Sequence, residues 1–190
     1  VYGGIHSILA AHRTKDFFKT WWGETRYNRF YRLFFSIQAA VLFVPVLVLV
    51  VILPDQVIYR IPTPWVYLTT FIQGLSVIGI VHTIMLTGML RFTGVSQTLD
   101  PDQATKPVAL VNRSLYRWVR HPIYSCMFLL VWLVPVMSWN LLALSIGISV
   151  YNVLGAKLEE RKLVQEFGKD YVEYRKSTPF IFPGIQLKKR

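Results

Sequence analysis

A chain of 190 residues is one domain by length, and 53% hydrophobic against 16% charged residues is too apolar a balance for a soluble domain of that size. The formal net charge of +11 invites a nucleic-acid partner, but Lys and Arg fall in blocks between uncharged runs: six in residues 13–32, one in 54–63, five in 91–121 and nine in 157–190. That partition is the positive-inside pattern of a polytopic membrane protein whose basic segments meet anionic headgroups, which makes nucleic acid the poorer explanation.

The chain starts at Val1 inside an apolar stretch, 1–11, about half a membrane span long, and it is expected to begin within a helix whose earlier part is absent. Residues 12–32 then read as a basic, aromatic-rich cytoplasmic connection, with Trp21, Trp22, Tyr27, Phe30 and Tyr31 suited to the headgroup region. Residues 33–53 and 65–90 are uncharged runs of 21 and 26 residues, either of which exceeds the roughly 20 needed to cross a hydrocarbon core. Pro45 predicts a kink in the first, and the second is long enough to tilt. Between them, 54–64 reads as a short outer loop with three prolines.

Residues 91–121 form the next cytoplasmic loop, with turn signals at Asp100–Pro101 and Lys106–Pro107. Pro122 suits the first turn of a helix, where its missing N–H costs nothing. Residues 123–137 and 140–154 predict a helical hairpin turning at Ser138–Trp139, and 156–176 an amphipathic cytoplasmic helix with Val164, Phe167, Tyr171 and Tyr174 on one stripe, ended by Pro179 and Pro183. The expected architecture is therefore all-α: one integral membrane domain over 1–190, a bundle of about five membrane helices, the last two a hairpin. No GxGxxG motif is present, so a soluble Rossmann-type domain is not expected.

A single cysteine, Cys126, rules out an intramolecular disulfide and a cysteine-based zinc site. His6 and His12, six apart, would face different sides of a helix, so no metal is expected.

Two tracts carry the chemistry. The first runs from Leu110–Val111 through Tyr116 to Arg120–His121–Pro122 and Tyr124; the second holds Glu159–Glu160, Phe167–Gly168, Tyr171, Tyr174 and Pro179. A hairpin over 123–154 would bring its two ends together, so His121 and Tyr124 should meet the glutamates. Taken singly, Arg120–His121 could be headgroup contacts and the glutamates a solvated helix start. Together, at this spacing, the tracts resemble the integral-membrane methyltransferases of the isoprenylcysteine carboxyl methyltransferase type. Within that family, residues 158–164 and 2–13 look most like the bacterial branch containing methanethiol S-methyltransferases and NnrU-like proteins.

The resemblance implies S-adenosylmethionine as cofactor, held by Tyr116, His121, Tyr124, Glu159 and Glu160, with backbone around Leu110 and Val111 lining the adenine end. His121 and Arg120 are the catalytic candidates. His6, His12 and Arg13 are candidates for the acceptor side, although His6 and Ser7 would serve equally as helix–helix contacts and His12 and Arg13 as a helix-end anchor. His82, an ionisable group inside a span, is a further candidate. Ser114 stands where the family often has Gly or Pro, and Cys126 where Gly is common. The implied reaction is methyl transfer to an apolar or membrane-associated acceptor, foremost a small thiol. The alternatives are carboxyl methylation of a prenylcysteine and a non-catalytic membrane scaffold. The expected partners are membrane lipid and the acceptor, and the expected setting is a bacterial inner membrane with the motifs on its cytoplasmic face.

Overall fold

Uncharged sequence folds as helix almost throughout the computed structural model, which describes residues 2–100, 102 and 109–184. In chain order the elements are α1 (Tyr2–Ala10), α2 (His12–Trp22), α3 (Glu24–Ile52), β1 (Val57–Arg60), α4 (Trp65–Leu86), α5 (Met89–Thr93), α6 (Val95–Leu99), α7 (Pro122–Trp132), β2 (Val136–Ser138), α8 (Trp139–Phe167) and α9 (Lys169–Ser177). Three of them, α3, α4 and α8, are long and apolar enough to cross a membrane, while α7 is apolar but shorter. The turn signals at Asp100–Pro101 and Lys106–Pro107 lie partly outside the described residues, since 101 and 103–108 are not described.

The described residues form two compact units, one from Val1–Leu53 and Thr87–Val108, the other from Pro54–Leu86 and Ala109–Arg190. In the first, α3 begins at Glu24 and so takes in much of the basic segment read from sequence as a connection. Tyr31, buried on α3, donates to the Leu9 carbonyl at 2.5 Å and packs against Phe18, Trp22 and Phe34. Arg29 Nε donates to the Thr98 carbonyl at 2.8 Å, which ties α6 to α3.

In the second unit α4, α7 and α8 run up, down and up. Gln73 Nε2 donates to the Leu130 carbonyl at 2.8 Å, and Gly79 faces Cys126, whose Sγ would lie 2.8 Å from any Cβ built there. Both contacts fix α4 antiparallel to α7, and the missing side chain at Gly79 is what lets the helices approach. Ser145 Oγ donates to the Val131 carbonyl at 2.9 Å and Trp132 Nε1 to Ser149 Oγ at 2.8 Å at the turn end, and the Tyr124 hydroxyl donates to Glu159 at 3.1 Å at the far end, which together set α7 antiparallel to α8. The buried hydroxyls of Ser76 and Thr83 donate to the carbonyls of Ile72 and Gly79 one turn back, so they need no water. Large apolar side chains on α4, among them Phe71, Ile78 and Met85, stay exposed, as a lipid-facing surface requires.

Three further features depart from the sequence reading. The loop 54–64 and the hairpin turn are not merely loops: β1 pairs antiparallel with β2, Val57 opposite Ser138 and Arg60 opposite Val136, because α7 stops at Trp132 and leaves 133–138 free to extend. Asp55 caps this end, its Oδ1 accepting from the Gln56 N–H at 2.8 Å and the Asn140 N–H at 3.1 Å. A hydrogen bond from Ser138 and these N–H groups hold its carboxyl below the ordinary value. The second span ends at Leu86, short of residue 90. And the expected tail helix 156–176 is not separate, for α8 continues through Gly155 to Phe167. It breaks only at Gly168, whose φ of 55° suits a residue without a Cβ.

Candidate functional site

The site lies at the end of the α7–α8 hairpin opposite the β1–β2 pair. Pro122 is the first residue of α7, as its chemistry predicts, and His121 is the residue before it. The strand-like stretch after α9 comes back alongside: the Arg120 N–H donates to the Pro179 carbonyl at 2.9 Å, the His121 N–H to the Phe180 carbonyl at 3.2 Å, and Ser125 Oγ to the Ile181 carbonyl at 2.5 Å. Phe180 and Ile181 bury themselves against Ala156 of α8, with Tyr124, Phe128 and Val153 around them. This apolar plug fixes the ends of α7 and α8 against each other and so sets the spacing of the polar groups on its rim.

Those groups sort by burial. Arg120 Nε donates to Glu160 Oε1 at 2.6 Å, with side chains 10% and 13% exposed. Its Nη1 donates to the Arg175 carbonyl at 3.1 Å and to the Thr178 carbonyl, and the guanidinium lies over the Phe180 ring. Glu160 also receives the Tyr171 hydroxyl at 3.4 Å and has Arg175 Nη1 at 3.9 Å from its second oxygen. Arg120 and Glu160 therefore satisfy each other and brace the C-terminal segment.

Glu159, one residue away, is different. Its side chain is 49% exposed, and one oxygen accepts from the Tyr124 hydroxyl at 3.1 Å. The His121 ring is buried between the two carboxylates, Nδ1 3.8 Å from Glu159 and Nε2 3.6 Å from Glu160, and Nε2 has no hydrogen-bond partner. Tyr124 lies beside that ring at 5.6 Å between centroids. The Tyr174 hydroxyl donates to the Tyr116 carbonyl at 2.6 Å, which anchors the short 3-10 turn Ser114–Arg117. Burial first, then the Glu159 charge, pushes the Tyr116 hydroxyl up to about 12. Tyr171 and Tyr174 are raised as well, again by burial first and then by Glu160 and Tyr116 respectively. At neutral pH all three are hydroxyl donors and not phenolates.

Tyr116, Arg120, His121, Tyr124, Glu159 and Glu160 thus converge on one rim, as the hairpin argument requires. Leu110 and Val111 are half-buried irregular chain leading into the 3-10 turn. His6, His12 and Arg13 belong to the other compact unit. His82, on α4, shares a 2.8 Å hydrogen bond between its Nε2 and Ser114 Oγ. The sequence reading passed over Arg175, Thr178 and the Phe180–Ile181 plug; an apolar Phe–Ile–Phe triplet just past a proline was the available signal. It also passed over Asn152, buried on the same face of α8 as Ala156 and Glu159, whose Nδ2 has no hydrogen-bond partner. Among the described residues no group of three or more His, Cys, Asp or Glu stands together as a metal site.

Residues 11–178 match the family described as "Protein of unknown function (DUF1295)". Methanethiol S-methyltransferase of Pseudomonas deceptionensis is 33% identical over 120 residues, 62% of this chain and 45% of that protein. Methanethiol S-methyltransferase 1 of Bradyrhizobium diazoefficiens is 28% identical over 194 aligned positions, 94% of this chain and 62% of that protein. Protein-S-isoprenylcysteine O-methyltransferase of Xenopus laevis is 30% identical over 127 residues, 60% of this chain and 43% of that protein. The chain thus spans between about two fifths and three fifths of the length of these relatives. No solved structure matches it.

Proposed function

This chain belongs to the DUF1295 family, and from the geometry of its site and its similarity to methanethiol S-methyltransferases we propose that it is an integral-membrane methyltransferase that uses S-adenosylmethionine to methylate an apolar thiol. The observation that carries the reading is the contrast between the two glutamates: Glu160 is spent on Arg120, while Glu159 keeps a half-exposed carboxylate beside the buried His121 imidazole. A neutralised brace beside an unspent acceptor is what a binding site needs and what a purely structural cluster lacks.

S-adenosylmethionine, when bound, supplies a methyl group on a positively charged sulfur together with a ribose diol, an adenine and a charged amino-acid end. The residues present fit it. Glu159 is an acceptor for a diol or an ammonium group, Tyr116 and Tyr124 offer aromatic surface, Tyr116 also a hydroxyl donor, and backbone at Leu110 and Val111 would line an apolar ring. His121, whose Nδ1 lies on the side of the half-exposed Glu159, is the imidazole that would favour the more nucleophilic thiolate of a thiol acceptor. Arg120 acts by positioning, through its hold on Glu160 and the Arg175 and Thr178 carbonyls. Most of the rate enhancement would come from orientation and exclusion of water, since no covalent intermediate with the protein is needed.

The site would face the cytoplasm of a bacterial inner membrane. In the unit that contains it, Arg60 is at the β1–β2 end, whereas Arg113, Arg117, Lys157, Arg161, Lys162, Lys169 and Arg175 cluster at the site end. That asymmetry supports the assignment. About five membrane helices in one domain, with α9 on the cytoplasmic side, is the arrangement we propose around the three long apolar helices.

A second reading, carboxyl methylation of a prenylcysteine, is favoured by the name of the Xenopus relative. Arg120 counts against it, because a carboxylate substrate would have to displace Glu160 from a 2.6 Å bond. Protein in lipid nanodiscs, supplied with methyl-labelled S-adenosylmethionine and offered methanethiol, a farnesylcysteine and an ethanolamine lipid, separates the readings. Label in dimethyl sulfide supports the thiol reading, label in a base-labile ester supports the second, and label in none of the three supports a scaffold.

A further inference from the structure

Ser114 is the one non-glycine residue, among those described, with a positive φ, 57°. A side chain there is disfavoured because its Cβ crowds the following carbonyl, so a serine in that conformation needs something to hold it. The holder is on another helix: His82 of α4 reaches Ser114 Oγ at 2.8 Å across 32 residues of sequence. Ser114 opens the 3-10 turn Ser114–Arg117, in which the Tyr116 N–H donates to the Arg113 carbonyl at 3.2 Å and the Trp118 and Val119 N–H groups donate to the Leu115 carbonyl at 3.0 and 3.2 Å. That turn presents Tyr116 and leads directly into Arg120–His121. Tyr174 also supports it, its hydroxyl donating to the Tyr116 carbonyl at 2.6 Å.

We propose that His82 is a positioning residue for the site: its hydrogen bond locks Ser114 in the left-handed conformation and so sets the turn that places Tyr116 and the Arg120–His121 step. An ionisable side chain on an otherwise uncharged α4 then has a specific task. The pairing also follows from the residue at 114. A glycine there takes a positive φ unaided, so the His82 bond is needed only because the residue is serine.

This inference makes Tyr116 placement matter through the cofactor reading above, so the test includes a readout that does not depend on that reading. In nanodisc protein, hydrogen–deuterium exchange at the Tyr116, Trp118 and Val119 amides reports the turn, and calorimetry with S-adenosylhomocysteine reports the site. His82→Ala should speed exchange at those three amides roughly tenfold, the typical worth of one hydrogen bond, and weaken S-adenosylhomocysteine binding in step. Ser114→Gly alone should leave both near wild type. The double variant His82→Ala/Ser114→Gly should return exchange and affinity to within about twofold of wild type. A role in general packing of α4 would not be rescued by a glycine on a distant turn. Unchanged exchange in His82→Ala, or a double variant that exchanges as fast as His82→Ala alone, overturns the inference. Wild-type protein that does not bind S-adenosylhomocysteine overturns the cofactor reading instead, and the exchange comparison still decides the role of His82.

Discussion

Arg120 and Glu160 lie 40 residues apart in sequence and join through a 2.6 Å charge-assisted hydrogen bond at the shared end of α7 and α8, each side chain about nine-tenths hidden. The pair closes the hairpin electrostatically where Ala156, Phe180 and Ile181 close it by packing. Its neighbours His121 and Glu159 are left with unspent hydrogen-bonding capacity as a result.

Removing one partner of that pair strands a buried charge. Glu160→Ala and Arg120→Ala should each destabilise the protein by about 3 kcal/mol, the lower end for a buried ion pair because both side chains keep some exposure. Replacing both, as Arg120→Met/Glu160→Leu, should recover more than half of the loss. Chemical unfolding in detergent checks the cycle; a Glu160→Ala variant as stable as wild type would mean that the bond is not structural.

Tyr116 sets a pH dependence of known sign. Its hydroxyl is held near 12 in the folded protein against about 10 unfolded, so the folded state keeps its proton longer. The stabilisation is complete below pH 10 and is lost as pH rises through about 12. Tyr116→Phe should flatten the alkaline fall in melting temperature between those limits. An identical alkaline profile in that variant would place the titration elsewhere, with Tyr171 and Tyr174 the next groups to replace.

Orientation is testable on one compact unit alone. In a Cys126→Ala background, Arg60→Cys and Lys176→Cys should react with impermeant maleimide from opposite sides of the membrane, because Arg60 is in the β1–β2 pair and Lys176 is in α9 at the other end of the α7–α8 hairpin. Labelling of both from the same side of sealed vesicles would contradict the proposed topology.

Much of this was legible in the residues, for reasons that differ. The spans were readable because uncharged runs of such length have few other uses, and the convergence of His121 and Tyr124 with the glutamates follows from any hairpin over 123–154. The β1–β2 pair was not readable: Val57–Arg60 has no partner within its own stretch of sequence, and its pairing depends on where α7 stops. Continuity of α8 through Gly155 was missed because a glycine between apolar and charged segments looks like a boundary, whereas a helix tolerates it at a cost of about 1 kcal/mol. The different fates of Glu159 and Glu160 were also hidden. Adjacent carboxylates look alike in sequence, and only the 100° step between them on α8 turns one toward Arg120 and leaves the other open.

Calorimetric titration of nanodisc protein with S-adenosylhomocysteine tests the central claim most directly. The wild type should bind, and Glu159→Gln and His121→Ala should each weaken binding roughly tenfold, the worth of a charge-assisted hydrogen bond, while Glu159→Gln, at a half-exposed side chain, keeps a melting temperature near that of wild type. Unchanged affinity in both folded variants would contradict the account and remove Glu159 and His121 from the cofactor site.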